Sequence, residues 1–456
     1  MRGVFLLLAV VAGPVSAQLP VSGRPVPALS AFDDAMQDFM GEHDITAGVL
    51  GVMAEGRIVY LRGFGHKYNG TTALPENALF RLASCSKPFA AAVIHRLMAS
   101  GAVTWDEFDN AFDLGQAGGG VLDITPFGTL ADDDVEDIEI RHLLRHTSGF
   151  TPAGSDPAFG WRDASLAMGL PSPVSRENLM RWILGTETLA FTPGAGTEYS
   201  NVGYLALSLI AEQETGQAFI DVVRQQILTP AMWVPATEVQ MGRTFRADQD
   251  PREPRYESGD TSPNIYDNTP PYEQVPSPYG RWPQPGLTGF GGMVASAPAM
   301  LEFLARYHSV PFRTEFGERM GAEGPGGGAH AGSLRGTNTW MQQRPDSVYA
   351  FIAFNSRPGG EDHYGGMFYT EHLEALLDGV ADWPEATSDG FWVSTSGTGT
   401  SGTGGYNDVF ASVGAALDYA QPGSKIRLNP GASTWTGVLD DRMLFDAPRG
   451  AASLGN

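Results

Sequence analysis

Strand-like runs stand at both ends of a long helical stretch in this chain, and that order leaves few folds open. Residues 47–64 (AGVLGVMAEGRIVYLRGF) are two apolar segments around Glu55-Gly56, the signature of a β-hairpin. Two further runs, Ser333 to Gln342 and Val348 to Asn355, come only near the other end. Between them the pattern is helical to about residue 240. Phe89, Ala90, Val93, Ile94, Leu97 and Met98 recur at helical spacing and stop at Gly101, a glycine cap, and Glu198 to Thr215 (EYSNVGYLALSLIAEQET) reads the same way. The expected architecture is one sheet assembled from both ends of the chain and carrying a helical insertion.

The remaining segments refine this plan. Residues 245–287 are rich in Pro, Asp, Tyr and Trp, lack periodicity and read as a long loop, whose Tyr256, Tyr266, Tyr272 and Trp282 either roof a cleft or belong to a solvent-facing insertion. Gly289 to Met293 leads into a helix through Met300 to Tyr307, and an amphipathic helix over Thr370 to Val380 closes the domain. Ser394 to Gly405 (STSGTGTSGTGG) is low-complexity, so 385–405 is expected to be a linker. Beyond it, 406–456 has short β runs between Pro-Gly turns and looks like the opening coil of a right-handed β-helix, which needs roughly three or more stacked coils for stability. The sequence stops at Asn456 before further coils, which suggests a truncated reading frame or a short secretion or anchoring tail with poor order.

The amino terminus has Arg2, an apolar run from Val4 to Ala12 and small residues ending at Ala17, the layout of a signal peptide over 1–17. That run is well short of the roughly 20 residues a membrane-spanning helix needs, so a secreted or periplasmic protein without a membrane span is expected, its main domain covering 18–384. The single cysteine, Cys85, excludes an intramolecular disulfide. A formal net charge of −23 argues against nucleic acid and anionic membrane surfaces as partners. Of 29 basic residues only Lys67, Lys87 and Lys425 are lysines.

One of those lysines sits in Ser84-Cys85-Ser86-Lys87, at the head of the first long helix, where a spacing of three puts Ser84 and Lys87 on one face. A serine hydroxyl needs a neighbour to take its proton, and a buried lysine can do so where arginine cannot. The helix head also offers free N–H groups for a developing oxyanion. Cys85 falls off that face and is expected to be buried and inert. An isolated S-x-x-K match arises by chance roughly once or twice in a chain of this size, but Tyr199-Ser200-Asn201 stands at the start of a second helix and His330-Ala331-Gly332 opens a strand.

These three motifs, in this order, resemble the serine β-lactamase and penicillin-binding-protein superfamily, in particular class C-like β-lactamases, D-amino-acid peptidases and family VIII carboxylesterases. Phe80 to Lys87 (FRLASCSK), His142 to Gly149 (HLLRHTSG) and Gly291 to Ala297 (GGMVASA) match in kind, and the likeness covers roughly 25–382. The resemblance implies an α/β (α+β) fold, an antiparallel sheet flanked by helices with a helical subdomain. It implies Ser84 as the acylated nucleophile, Lys87 as proton acceptor, and Tyr199 sharing that proton and serving the leaving group or water. Asn201 would hold Lys87 and the substrate, His330 would line the opposite wall next to Gly332, and the backbone N–H groups of Ser84 and Ser333 would form the oxyanion hole.

The third motif departs from the lysine of typical β-lactamases, so the cation for a β-lactam carboxylate is missing or conditional on pH. The other histidines, among them His142 and His146, are expected to be structural, and no metal and no cofactor are expected. The leading expectation is a secreted hydrolase of small esters or amides acting through an acyl-enzyme. A D-stereospecific peptidase on cell-wall fragments, acyl transfer to another alcohol, and a non-catalytic surface protein are the alternatives.

Overall fold

The computed structural model describes residues 18–384 except 116–118, 153, 229–234, 308–327 and 358–362, together with 391–393, 412–413, 425–428, 431–433, 444–446 and 452–454. The leader expected over 1–17 and most of the linker and tail expected over 385–456 lie outside these residues. Phe391–Val393, a strand inside the segment expected to be a linker, pairs in parallel with Lys425–Leu428 of the tail; within the tail Lys425–Leu428 pairs in parallel with Leu444–Asp446, and Gly431–Ser433 with Ala452–Leu454.

The main sheet runs Val21–Ser22, Arg57–Gly65, Ala47–Ala54, Tyr349–Phe354, Thr337–Gln343, Gly328–Leu334 across its width, and every neighbouring pair is antiparallel. It is built from both ends of the domain, as the order of runs requires. Glu55 and Gly56 both have positive φ (52° and 75°), the backbone of a two-residue hairpin turn whose twist suits the flanking strands. Ala47–Ala54 and Arg57–Gly65 are buried along their whole length. Both faces are covered, so alternation of apolar and polar residues gives way to continuous apolar runs.

The period of two assigns side chains to faces except where a β-bulge at Val59, opposite Val52-Met53, resets the phase of the second strand. Val49, Met53, Ile58, Leu61 and Phe351 join the larger core, against the helices Lys87–Ala99 and Ala297–Arg306, with Phe89 stacked on Phe303 at 4.1 Å. Leu50, Val52, Tyr60, Phe64 and Phe354 join the second core beneath the helix Ser30–Glu42, where Phe39 meets Phe354 at 5.6 Å and Phe368 at 5.4 Å. Each such large apolar side chain contributes about 1.5–3 kcal/mol by leaving water. A second sheet, Leu79–Arg81, Met293–Ser296 and Val239–Met241, leads the chain into the helix that begins near Ser84.

Three expectations need correction. The run Ser333 to Gln342 is not one strand: Arg335-Gly336 turns the chain (Gly336 φ 80°), and the first strand extends back to Gly328, through small residues that carry no β signal. The closing helix begins at Tyr364, not Thr370, and continues as α, π and α segments to Asp378. Gly365 hides it in the sequence; a Cβ there would lie 2.7 Å from the Cβ of Trp340.

The segment 245–287 is not a simple loop. It contains the antiparallel pair Thr261–Pro263 with Gln274–Pro276 and is pinned by polar anchors. Arg81 donates to the carbonyls of Pro278 (2.5 Å) and Arg243 (2.9 Å), with its guanidinium over the Tyr256 ring. Such anchoring leaves no periodic apolar pattern. Tyr256 is therefore buried, its hydroxyl donating to Glu253 and accepting from the Arg81 N–H, and it does not roof a cleft.

Candidate active site

A 3₁₀ turn, Ala83–Ser86, precedes the helix Lys87–Ala99, and Pro88 in its first turn needs no N–H partner. In a 3₁₀ turn residues three apart eclipse, so Ser84 and Lys87 lie one above the other. Lys87 Nζ donates to Ser84 Oγ (3.2 Å), Asn201 Oδ1 (2.6 Å) and the Phe290 carbonyl (3.0 Å), using all three of its donor positions. Burial brings the amine down to about 7, against the opposing pull of the Asp156 carboxylate. A side chain that is almost always charged in water is thus half neutral near pH 7. Ala83, just before the serine, has φ 48°, a strained conformation for a residue with a Cβ and of a kind that gathers at functional sites.

Tyr199 arrives from the turn before the helix Asn201–Thr215, whose cap is Ser200, with its Oγ accepting the Gly203 N–H. The Tyr199 hydroxyl donates to Ser84 Oγ at 2.7 Å. Its ring lies against the imidazole of His146 at 4.7 Å, and His146 Nδ1 accepts the Ser200 N–H at 3.0 Å. His146 therefore has the structural role expected of it, applied to the site itself. Burial, with a contribution from Asp156, raises the Tyr199 phenol, so it is a proton donor at neutral pH and Lys87 is the group able to accept. His142 takes the local part expected: its Nδ1 accepts the Glu139 N–H in a capping box at the helix Ile140–Leu144.

Asn201 is held from both ends. Its Oδ1 accepts from Lys87, and its Nδ2 donates to Asp156 Oδ2 at 2.5 Å. Asp156 in turn caps the 3₁₀ turn Pro157–Phe159, with Oδ1 accepting the Ala158 N–H. Sequence reading missed Asp156. Asp-Pro at a turn start is a visible cap signal, but nothing local reveals that its second oxygen reaches Asn201.

The third motif closes the other wall. Gly332 is there because nothing larger fits: a Cβ would lie 2.1 Å from the Leu82 carbonyl and 2.3 Å from Thr339 Oγ1. The Gly328–Leu334 strand is thereby drawn against the head of the serine helix, and Ser333 lines the cleft with Ser84. Burial, then the charge of Lys87, lowers His330 to about 3, and its Nε2 has no hydrogen-bond partner among the described residues. Burial thus disfavours an imidazolium at His330, the position of the third-motif cation. Cys85 is buried against the His330 carbonyl (3.4 Å), and burial pushes its thiol up to about 12, which leaves it inert.

The cleft encloses about 960 Å³ and has two kinds of wall. Phe159, Trp182, Trp282 and Phe290 supply aromatic surface, and Arg281, Arg335 and Arg357, near enough to act on one another's charge, line the cleft with Ser333 and Leu334. The Arg281 and Arg357 guanidiniums are both lowered by burial and by the charge of Arg335, and Asp260, 3.3 Å from Arg335, is the carboxylate that relieves them. Of the loop aromatics, Trp282 lines the cleft, Tyr266 is exposed against Phe245, and Tyr272 lies under Arg162 at 3.8 Å.

An antiparallel sheet between helical layers, with Ser84, Lys87, Tyr199 and Asn201 joined by hydrogen bonds at the junction with a helical region, defines a serine-hydrolase fold. The chain belongs to the Beta-lactamase family, whose model matches residues 32–409. Esterase EstB of Burkholderia gladioli is 30% identical over 206 residues, 44% of this chain and 48% of that protein. Penicillin-binding protein 4* of Bacillus subtilis (strain 168) is 28% identical over 195 residues, 42% of this chain and 38% of that protein. The match thus spans less than half the length of either relative. A class C beta-lactamase of known structure shares the fold, with a TM-score of 0.54 at 15% identity, over 78% of this chain and 97% of that one. Among the described residues no helix is long and apolar enough to cross a membrane.

Proposed function

We propose that this protein hydrolyses carboxylic esters or small amides through an acyl-enzyme on Ser84. The observation that carries the reading is the double contact at Ser84 Oγ, with the Lys87 amine at 3.2 Å and the Tyr199 hydroxyl at 2.7 Å, and an amine brought by burial to about 7. In the neutral form Lys87 has two hydrogens, which satisfy Asn201 Oδ1 and the Phe290 carbonyl, and its lone pair is left for Ser84. Oγ attacks the substrate carbonyl carbon while its proton passes to Nζ. The tetrahedral oxyanion is received by the N–H groups of Ser84 and Ser333. As the C–O or C–N bond breaks, the leaving alkoxide or amine takes a proton from the Lys87–Tyr199 pair. Water then attacks the acyl carbon and gives a proton to Nζ, and as the C–Oγ bond breaks Nζ returns that proton to Ser84 Oγ, which releases the acid and restores the hydroxyl and the neutral amine.

The arginines that line the cleft with Ser333 favour substrates with an anionic group near the scissile bond, within a protein whose overall charge would repel them. This favours, as a second reading, a peptidase on D-alanyl peptides that end in a free carboxylate. Either activity fits an exported enzyme, for which the mature amino terminus is expected at Gln18. The test is kcat/KM for a neutral p-nitrophenyl ester, the corresponding ester with a terminal carboxylate, and a D-alanyl-D-alanine peptide, with Ser84→Ala as blank. Ester turnover lost in the variant supports the hydrolase, and faster turnover of the peptide shifts the substrate to the second reading. Full turnover by Ser84→Ala refutes both.

A further inference from the structure

His363 stands outside the three motifs and never touches Ser84, yet it bonds to the peptide group on which the oxyanion hole depends. Its Nε2 lies 3.1 Å from the Gly332 carbonyl, and its Nδ1 accepts the Gly366 N–H at 3.2 Å as the cap of the helix that begins at Tyr364. The second contact fixes the first: a backbone N–H can only donate, so Nδ1 is unprotonated and the ring hydrogen is on Nε2, which donates to Gly332. Burial disfavours the imidazolium, so the neutral tautomer is the resting form.

The Gly332 carbonyl and the Ser333 N–H belong to one planar trans peptide and point in opposite directions. The carbonyl faces the neighbouring strand, where Thr339 Oγ1 also approaches it at 3.5 Å. The Gly328–Leu334 strand is the edge of the sheet, so the N–H points off that edge toward the cleft that Ser333 lines. A donor on the carbonyl oxygen draws electron density through the amide and strengthens the hydrogen bond the N–H can make, the cooperativity of chained hydrogen bonds. It also holds the plane of the peptide, so the N–H need not reorient as charge develops.

We infer that His363 is a positioning residue for acyl transfer, its Nε2–H donating to the Gly332 carbonyl and so orienting and polarising the Ser333 N–H of the oxyanion hole. This rests on the Ser84 acyl-enzyme reading. The cap and the donor are separable by substitution. In His363→Asn the short amide retains an oxygen for the Gly366 N–H, asparagine being a favoured cap, but loses the reach to Gly332. In His363→Gln the amide nitrogen falls near the position of Nε2, while the cap is weakened.

Asn at 363 is expected to lower kcat for the p-nitrophenyl ester about 3- to 30-fold with KM unchanged, part of the about 10²–10³-fold lost when an oxyanion-hole donor is removed outright. Affinity for a methylboronic acid, whose adduct on Ser84 is tetrahedral, should fall by the same factor, with Tm close to that of the parent. Gln should recover most of the rate at a lower Tm. The inference is overturned if His363→Asn retains full kcat, or if the rates of the two variants follow their Tm values and not the presence of the donor. The acyl-enzyme reading fails separately, if Ser84→Ala still cleaves the ester.

Discussion

The pH dependence of acylation follows from where Lys87 is buried. Only the neutral amine can take the Ser84 proton, and the group is poised at about 7. With a single ionisation there, the neutral fraction is about one-tenth at pH 6 and about nine-tenths at pH 8, so kcat/KM should rise about tenfold across that interval and level off above it. The same group explains a sharper test. The Asp156 carboxylate favours the charged ammonium and so works against the lowering by burial. Asp156→Asn keeps an oxygen for the Asn201 amide and removes the charge, so the rising limb should move to lower pH. The assay is initial-rate kcat/KM on a neutral p-nitrophenyl ester from pH 5 to 10, on both proteins, at constant ionic strength. A limb near 10 would assign the proton acceptor to an ordinary lysine or to Tyr199. A limb that stays in place or rises in Asp156→Asn would refute the electrostatic account of Lys87.

Tyr199→Phe retains the ring on His146 and removes the hydroxyl, so kcat should fall about 10²- to 10⁴-fold, the usual range for general acid–base catalysis. Tm should scarcely change, because the ring keeps its contact with His146 and only the hydrogen bond to Ser84 is lost, and a variant within twofold of the parent would exclude the hydroxyl from the mechanism. Gly332→Ala forces a methyl against backbone at 2.1 Å; chemical denaturation should register about 1–3 kcal/mol of lost stability, with activity lost alongside, and a stable, fully active variant would mean that the strand is free to shift. Arg357→Gln should reduce kcat/KM for the carboxylate-bearing ester about 10- to 100-fold, as for a charged hydrogen bond of about 1.5–3 kcal/mol, and leave the neutral ester unchanged. Equal losses on both esters would show that the arginine shapes the wall and does not read charge.

The parts of the site that could be read in advance are those whose geometry is local. Ser84 and Lys87 share a face because residues three apart do so in any helical turn, and Tyr199 and Asn201 are linked by a capped helix start. The sheet built from both chain ends was equally legible, since the hairpin and the late strand runs had no other partners. Where the pattern misled, glycine and small residues were the cause: Gly328 to Gly332 form a strand without β-branched side chains, and the helix start is concealed by Gly365, a glycine because Trp340 occupies the space of a Cβ.

Only the tertiary structure decided the rest. Asp156 meets Asn201, His146 backs Tyr199, His363 reaches Gly332, and Arg281, Arg335 and Arg357 arrive at one wall from separate segments. No periodicity encodes such meetings, because each depends on how elements distant in the chain pack. The same reason separates motif from chemistry. The sequence by itself determined which lysine stands beside the serine, but its basicity comes from exclusion of water, and burial exists only once the chain has folded.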